Sequence, residues 1–202
     1  MRGQIFVISG SSGSGKTSLL QELLAGDSRL RFSVSYTTRK PRPHEVHGQD
    51  YFFVNPDEFQ RLIRQGRLIE WVKQFGYYYG TSKDWVDQAL GEGQDLVFDI
   101  EIHGARQLKG LYPDDTFVFI LPPSLAELER RLRRRGDVSE AELQQRLQRA
   151  QRELQEVEWY DYAVVNDDFS QALSQLQAIV QASRSRTAWV WPQIRTRFQL
   201  PS

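Results

Sequence analysis

The run Gly10-Ser11-Ser12-Gly13-Ser14-Gly15-Lys16-Thr17 fits the spacing G-x-x-x-x-G-K-[S/T] and follows directly on the apolar stretch Ile5-Phe6-Val7-Ile8. A strand, a tight loop and a helix start in that order commit the chain to an α/β fold. Small residues let successive backbone N–H groups turn inward around a polyphosphate, and the positive end of the following helix favours the anion. Lys16 then reaches the terminal phosphates, Thr17 presents its hydroxyl to a magnesium ion, and Ser18 completes the first turn. A glycine- and serine-rich linker can meet the same spacing by chance. Linkers seldom follow a buried-type strand, however, or precede a helical repeat such as Leu19, Leu20, Leu23 and Leu24. The motif implies a nucleoside triphosphate and leaves the reaction open.

Further apolar runs at Leu96–Ile100, Phe117–Leu121 and Tyr162–Val165 alternate with helical patterns, which predicts a parallel sheet flanked by helices. Ser124 with Glu127, and Ser139 with Glu142, carry the capping-box spacing at two helix starts. From Phe32 to Gly80 the texture changes to crowded aromatic and charged residues. Alternating runs such as Asp50 to Val54 there are expected to form antiparallel strands of an inserted lobe. Arg130 to Arg152 is dominated by arginine and glutamate and is expected to form a small lid of short helices joined through Arg135-Gly136-Asp137.

At 202 residues and 40% hydrophobic content, the chain can bury one core with an insertion or two. The 26 basic and 26 acidic residues balance, so there is no global field suited to nucleic acid or to an anionic membrane. Cysteine is absent, which excludes disulfides, thiolate metal sites and cysteine nucleophiles. The start Met1-Arg2-Gly3-Gln4 leads into a strand rather than a signal peptide, and no apolar run approaches the roughly 20 residues of a membrane helix. A soluble cytoplasmic protein, monomeric or a small homo-oligomer, is the expectation.

The lobe begins Phe32-Ser33-Val34-Ser35-Tyr36-Thr37-Thr38-Arg39-Lys40-Pro41-Arg42-Pro43-His44-Glu45 and continues through Gly48-Gln49-Asp50-Tyr51. In this stretch the sequence closely resembles the guanylate kinases, whose pattern is S-x-S-x-T-T-R-x-P-R-x-G-E followed by G-x-D-Y. The order and approximate spacing of Leu68-Ile69-Glu70-Trp71, Tyr77 to Thr81, Asp99, Arg131 to Gly136, Arg146-Leu147 and Val165 to Asp168 extend the likeness from about residue 4 to about residue 184. The resemblance implies Mg-dependent phosphoryl transfer from ATP to GMP, giving ADP and GDP. It also implies one domain with a three-layer parallel-sheet phosphate-loop core (about 1–34, 82–125 and 158–185), an inserted mixed-β GMP-binding lobe (about 35–81) and a small helical lid (about 126–157). A tail, 187–202, fits no motif.

The candidate residues also make chemical sense by type. Arg39 and Arg42 carry forked donors suited to a dianionic phosphate, with the hydroxyls of Tyr51 and Tyr79 completing the shell. From composition alone, an exposed basic loop held extended by Pro41 and Pro43 accounts for the two arginines equally well. The resemblance adds Glu45 and favours the phosphate site. Guanine presents N–H donors at N1 and N2, so a carboxylate at Glu70 accepting both would select it, with Ser35 and Thr81 adding hydroxyl contacts. Left to itself, a glutamate beside Trp71 is more commonly a solvated edge residue.

Asp99 ends an apolar strand where phosphate-loop enzymes place an acidic group near magnesium, directly or through water. A strand-end turn is the plain alternative. If that strand continues, Glu101 faces the same side. Many guanylate kinases carry aspartate at this second place, in contact with guanine or its ribose, where this sequence has the longer Glu101; the resemblance implies that Asp99 and Glu101 are among the GMP contacts.

Arg131 and Arg135 share a helix face, and Arg146 comes from a second helix. The resemblance implies that all three stabilise the charge on the transferring phosphoryl group. A solvated arginine face over Leu125, Leu128 and Leu132 is the alternative, preferred for Arg130, Arg133 and Arg134. Asn166 falls near the adenine by resemblance and otherwise reads as a turn residue. His44 stands where the family usually has glycine, and His47 and His103 are expected to be surface residues. Two other readings share the core: an inactive peptide-binding scaffold module of the same shape, and a kinase for another small phosphate acceptor.

Overall fold

Alternation of short buried strands with amphipathic helices organises the chain, and the computed structural model describes residues 2–74, 76–134 and 139–199. In chain order the elements are β1 (Ile5–Gly10), α1 (Lys16–Gly26), β2 (Leu30–Phe32), β3 (Ser35–Thr37), β4 (Tyr51–Phe53), α2 (Pro56–Arg64), β5 (Leu68–Gln74), β6 (Tyr77–Ser82), α3 (Lys83–Gly91), β7 (Asp95–Asp99) and α4 (Ile102–Leu111). β8 (Thr116–Leu121), α5 (Leu125–Arg134), α6 (Glu140–Leu154), β9 (Tyr162–Val165), α7 (Phe169–Arg184) and α8 (Thr187–Arg197) follow. The expected α/β class holds: a five-stranded parallel sheet runs in the order β2-β7-β1-β8-β9, and a separate mixed sheet is ordered β4-β3-β6-β5.

The central strands are continuous apolar runs because both of their faces are covered. Ile5 to Ile8, Leu96 to Phe98 and Phe117 to Ile120 are all fully buried. Two compact units divide the chain. One comprises residues 8–28 and the described residues from 116 onward, the other residues 2–7 and 29–115.

In the second unit, buried carboxylates satisfy the entry to β1. Asp95 Oδ1 accepts from the Gln4 N–H and Asp115 Oδ1 from the Ile5 N–H, each at 2.8 Å. Burial pushes the Asp115 carboxyl up to about 6. In the first unit, the Asp168 side chain caps α7 through the Gln171 N–H, and Arg184 near its other end pairs with Asp27 after α1. Among the described residues no helix is long and apolar enough to cross a membrane.

Three sequence expectations change. The run around Tyr51 pairs in parallel with β3, register Ser35 to Tyr51 and Thr37 to Phe53, while the β3–β6 and β5–β6 pairs of the same sheet are antiparallel. The lobe also contains α2, capped by Asn55, whose side chain accepts from the Glu58 N–H, with Pro56 in the first turn. The Trp-containing tail forms α8, with Pro192 inside it.

Candidate active site

The phosphate loop lies wholly in the first unit. Gly10 ends β1 so close to β8 that a Cβ there would sit 2.6 Å from the Ile120 carbonyl oxygen. Gly15, in the left-handed region at φ 88°, forms the N-cap of α1 and has no side-chain oxygen to give to the amides of its first turn. Thr17 and Ser18 stand exposed on that turn, Lys16 is half-buried, and Ser12 is exposed at the loop crest. The hydroxyls of Ser11 and Ser14 are buried without a hydrogen-bond partner among the described residues.

Asn166, just after β9, is buried behind the loop. Its backbone N–H donates to the Leu121 carbonyl, and its Nδ2 donates to the Ser14 carbonyl at 2.8 Å. The plain turn reading therefore gives way to a structural tie on the loop. A Cβ at Gly15 would lie 2.2 Å from that Nδ2, so the glycine is required twice over, by its φ angle and by Asn166.

Arg131 is half-buried on α5. Its Nε donates to Glu127 Oε1 at 2.8 Å and one terminal nitrogen to the Asn166 carbonyl at 3.0 Å, which brings it to the loop's rear support. Leu128 and Leu132 pack with Leu143 and Ala150 of α6, and Leu128 also closes on Gly13. The Ser124 hydroxyl accepts from the Glu127 N–H, but the Glu127 carboxylate turns to Arg130 and Arg131. These arginines hold that carboxyl at about 2. Arg133 bridges Glu129 and Glu140, as a solvated face requires. Ser139 and Glu142 form the complete capping box. Arg146 is exposed one turn beyond Glu142, and Arg135 lies outside the described residues.

The second unit holds two constellations. In the first, β5 and β6 pair Glu70 with Thr81, and a bulge between Leu68 and Glu70 breaks the alternation so that Ile69 and Glu70 are both buried. Thr81 Oγ1 donates to Glu70 Oε1 at 2.6 Å, and the Ser35 and Thr81 hydroxyls lie 3.2 Å apart. Glu70 is 3% exposed, which overturns the solvated-edge alternative. Burial is the main cause that pushes its carboxyl up to about 7, against the opposing hydrogen bonds from Thr81.

In the second constellation, the Arg39 guanidinium meets Glu45 in a bidentate pair at 2.9 and 2.8 Å. It stands 5.4 Å over the Tyr51 ring, and its pKa is raised first by Glu45, with the Tyr79 hydroxyl contributing. Glu45 also accepts from the Arg42 N–H at 2.7 Å, and Arg39 holds it down at about 2. Arg42 itself is exposed. The Tyr51 hydroxyl is raised by burial and then by the negative charge of Asp99, which therefore lies within its electrostatic reach.

Glu101 lies beyond the end of β7. The strand stops at Asp99, and Glu101 becomes the N-cap residue of α4, with Oε1 accepting from Gln74 Nε2 at 2.6 Å. His47 is exposed as expected, yet it also helps to hold the lobe together, because its Nδ1 accepts from the Phe53 N–H. Three residues carry weight that the motifs did not reveal: Glu127, Gln74 and Gln107. Glu127 four residues before Arg131 was a readable helix pair. The Gln107 amide clasps both the N–H and the C=O of Trp71 at 3.2 Å, and nothing local in the sequence announces it.

A glycine-rich loop between a buried strand and a helix, with an arginine–tyrosine cluster and a buried carboxylate in a separate mixed sheet, defines a phosphate-loop nucleotide kinase. Residues 2–183 match the family described as guanylate kinase. The chain is 44% identical over 198 residues to a guanylate kinase of Geobacter metallireducens, covering 98% of each chain. It is 47% identical over 194 residues to one of Syntrophus aciditrophicus, covering 96% of this chain and 93% of the other. The crystal structure of guanylate kinase from Anaplasma phagocytophilum superposes with a TM-score of 0.77 at 30% identity, covering 100% of this chain and 98% of that one. This chain belongs to the guanylate kinase family.

Proposed function

We propose that this chain transfers the γ-phosphoryl group of ATP to GMP, and also to dGMP, giving ADP and GDP. The observation that carries the reading is the buried Glu70 with the hydroxyls of Thr81 and Ser35 beside it. A buried acceptor pair is complementary to the N1–H and N2–H edge of guanine and leaves adenine with an unmet partner, worth about 1–3 kcal/mol for a neutral bond and more for a charged one.

The roles follow from residue chemistry. Lys16 and the amides from Gly10 to Ser18 hold the ATP phosphates, with the orphaned hydroxyls of Ser11 and Ser14 inside the same loop. Arg39 and Arg42, with Tyr51 and Tyr79, grip the GMP phosphate, while Glu45 fixes the Arg39 fork. Arg131, Arg135 and Arg146 stabilise the charge spread over the transferring group as the two-helix lid closes. Asn166 supports the loop that carries the adenine nucleotide. Asp99 and Glu101 contribute at the acceptor. No general base is needed, since a nucleotide phosphate with its second pKa near ~6 is already largely dianionic and nucleophilic at neutral pH.

The oxygen donors fit magnesium. Thr17 presents an exposed hydroxyl on the first turn of α1, and Asp99 a carboxylate that acts directly or through water. No group of three or more acidic or histidine side chains gathers among the described residues, and Mg²⁺ needs none, because it keeps waters and binds substrate phosphates. When bound with ATP it neutralises charge on the phosphate oxygens. With balanced charge across the chain, the reading is of a cytoplasmic enzyme on small molecules, monomeric or a small homo-oligomer, without nucleic-acid or membrane partners.

An inactive scaffold module would not need the complete loop from Gly10 to Thr17, and a sugar phosphate has no edge for Glu70 to read. A coupled assay of ADP release with GMP, dGMP, AMP, UMP and CMP, repeated with magnesium chelated, tests the proposal. GMP is expected to lead, with turnover lost on chelation. A preference for AMP overturns it.

A further inference from the structure

The two oxygens of Glu70 have different surroundings. Oε1 accepts from Thr81, while Oε2 faces the backbone of α4 at Gly104. A Cβ built at Gly104 would lie 2.9 Å from Oε2, 3.6 Å from Cδ of the same carboxylate and 3.5 Å from Ile100 Cδ1. Gly104 is buried inside α4 and is not among the glycines of positive φ, so its backbone accepts any residue. Helix propensity there favours alanine over glycine. What glycine supplies at this position is space, and the atom occupying that space is the carboxylate.

α4 is tied to β5 on either side of Gly104, which resists its backing away from a methyl group. Gln107, three residues further on, clasps both backbone polar groups of Trp71 next to Glu70. Glu101, three residues earlier, is bonded to Gln74 at the far end of the same strand. The helix is thus pinned to β5 on both sides of Gly104, and the free end of the Glu70 side chain is the part able to move. A methyl group would rotate the carboxylate at small cost to folding, and at the expense of the direction in which its oxygens point.

We propose that Gly104 is a positioning residue for base recognition, its missing side chain holding the Glu70 carboxylate in the plane that accepts both N–H groups of guanine. This rests on Glu70 being the guanine acceptor. The test compares Gly104→Ala, Glu70→Ala, Glu70→Asp and the double variant Glu70→Asp/Gly104→Ala, by steady-state kinetics with GMP and with inosine monophosphate, which lacks the N2 amino group, and by thermal melting.

Gly104→Ala is expected to raise the KM for GMP about tenfold while kcat moves less than about threefold, and to leave the KM for ATP unchanged. Its preference for GMP over inosine monophosphate should fall, with the melting temperature held or raised. Glu70→Asp withdraws the carboxylate by one methylene, so adding Gly104→Ala to it should bring little further loss. If Glu70→Ala damages GMP use and Gly104→Ala does not, or if the two changes are additive in the double variant, the role of Gly104 is refuted and that of Glu70 stands. If Glu70→Ala turns over GMP normally, both fall. A large drop in melting temperature for Gly104→Ala would also overturn the inference, because the helix and not the carboxylate would then be yielding.

Discussion

Replacing Glu70 with glutamine should make the protein's stability less sensitive to rising pH and cripple it as an enzyme. Burial lifts the Glu70 carboxyl from its ordinary 4.5 to about 7, and no charged neighbour contributes to that rise. The surrounding strands bring the hydroxyls of Ser35 and Thr81, and α4 brings Gly104; Glu101, His103, Arg106 and Lys109 of that helix region add nothing to the shift.

Because the folded-state pKa is the higher one, the folded protein binds more protons than the unfolded chain between pH 4.5 and 7. Stability from this group is therefore present at low pH and lost as pH rises through that window. Between pH 5 and pH 8 the loss amounts to about 2–3 kcal/mol. Glutamine does not titrate, and whatever its amide gains or loses in hydrogen bonding is the same at both pH values. The advantage of Glu70→Gln over the parent should thus grow by that amount on going from pH 5 to pH 8, roughly 5–10 °C in melting temperature for a chain of this size. Differential scanning calorimetry of both proteins at the two pH values measures it. If the gap stays constant or shrinks with rising pH, burial does not raise this carboxyl and the argument from desolvation is wrong.

Lys16→Ala should lower kcat by about 10³-fold with the melting temperature nearly unchanged, measured by coupled ADP release. Asn166→Ala removes the donor that holds the Ser14 carbonyl, and should cost about 1–3 kcal/mol of stability and raise the KM for ATP more than that for GMP. Glu45 is held at about 2 by Arg39, so its contribution is present above 4.5 and fades as pH falls towards 2. Glu45→Gln should accordingly be less stable than the parent at pH 7, lose that deficit in acid, and bind GMP more weakly by titration calorimetry.

The elements readable from sequence are those whose burial is written in their own residues. Ile5 to Ile8, Leu96 to Phe98 and Phe117 to Ile120 announce strands without help from distant chain, and the loop from Gly10 to Thr17 announces its ligand class. β2 is only Leu30 to Phe32 with one buried residue, and it exists as a strand because β7 pairs with it. The parallel partner of β3 is hidden behind the long connection 38–50, where antiparallel pairing is the simpler expectation. Whether Glu70 faces water or the interior turns on a one-residue bulge that leaves no local signature. The condition set for Glu101, that the strand run on past Asp99, is not met because α4 starts there, and its carboxylate accepts from Gln74.

The bond from Asn166 to the Ser14 carbonyl spans 152 positions of chain. On a ribosome adding about 5–20 residues per second, the loop waits roughly 10–30 s between its own synthesis and that of the side chain that props it. Through most of that interval β8 and β9, which lie beyond β1 in the sheet order, are also unmade. A nascent chain therefore carries every residue of the phosphate motif long before it can hold the motif's shape. Nucleotide binding becomes a property of the almost finished protein, and a chain cut short of residue 166 should keep the signature while lacking the grip.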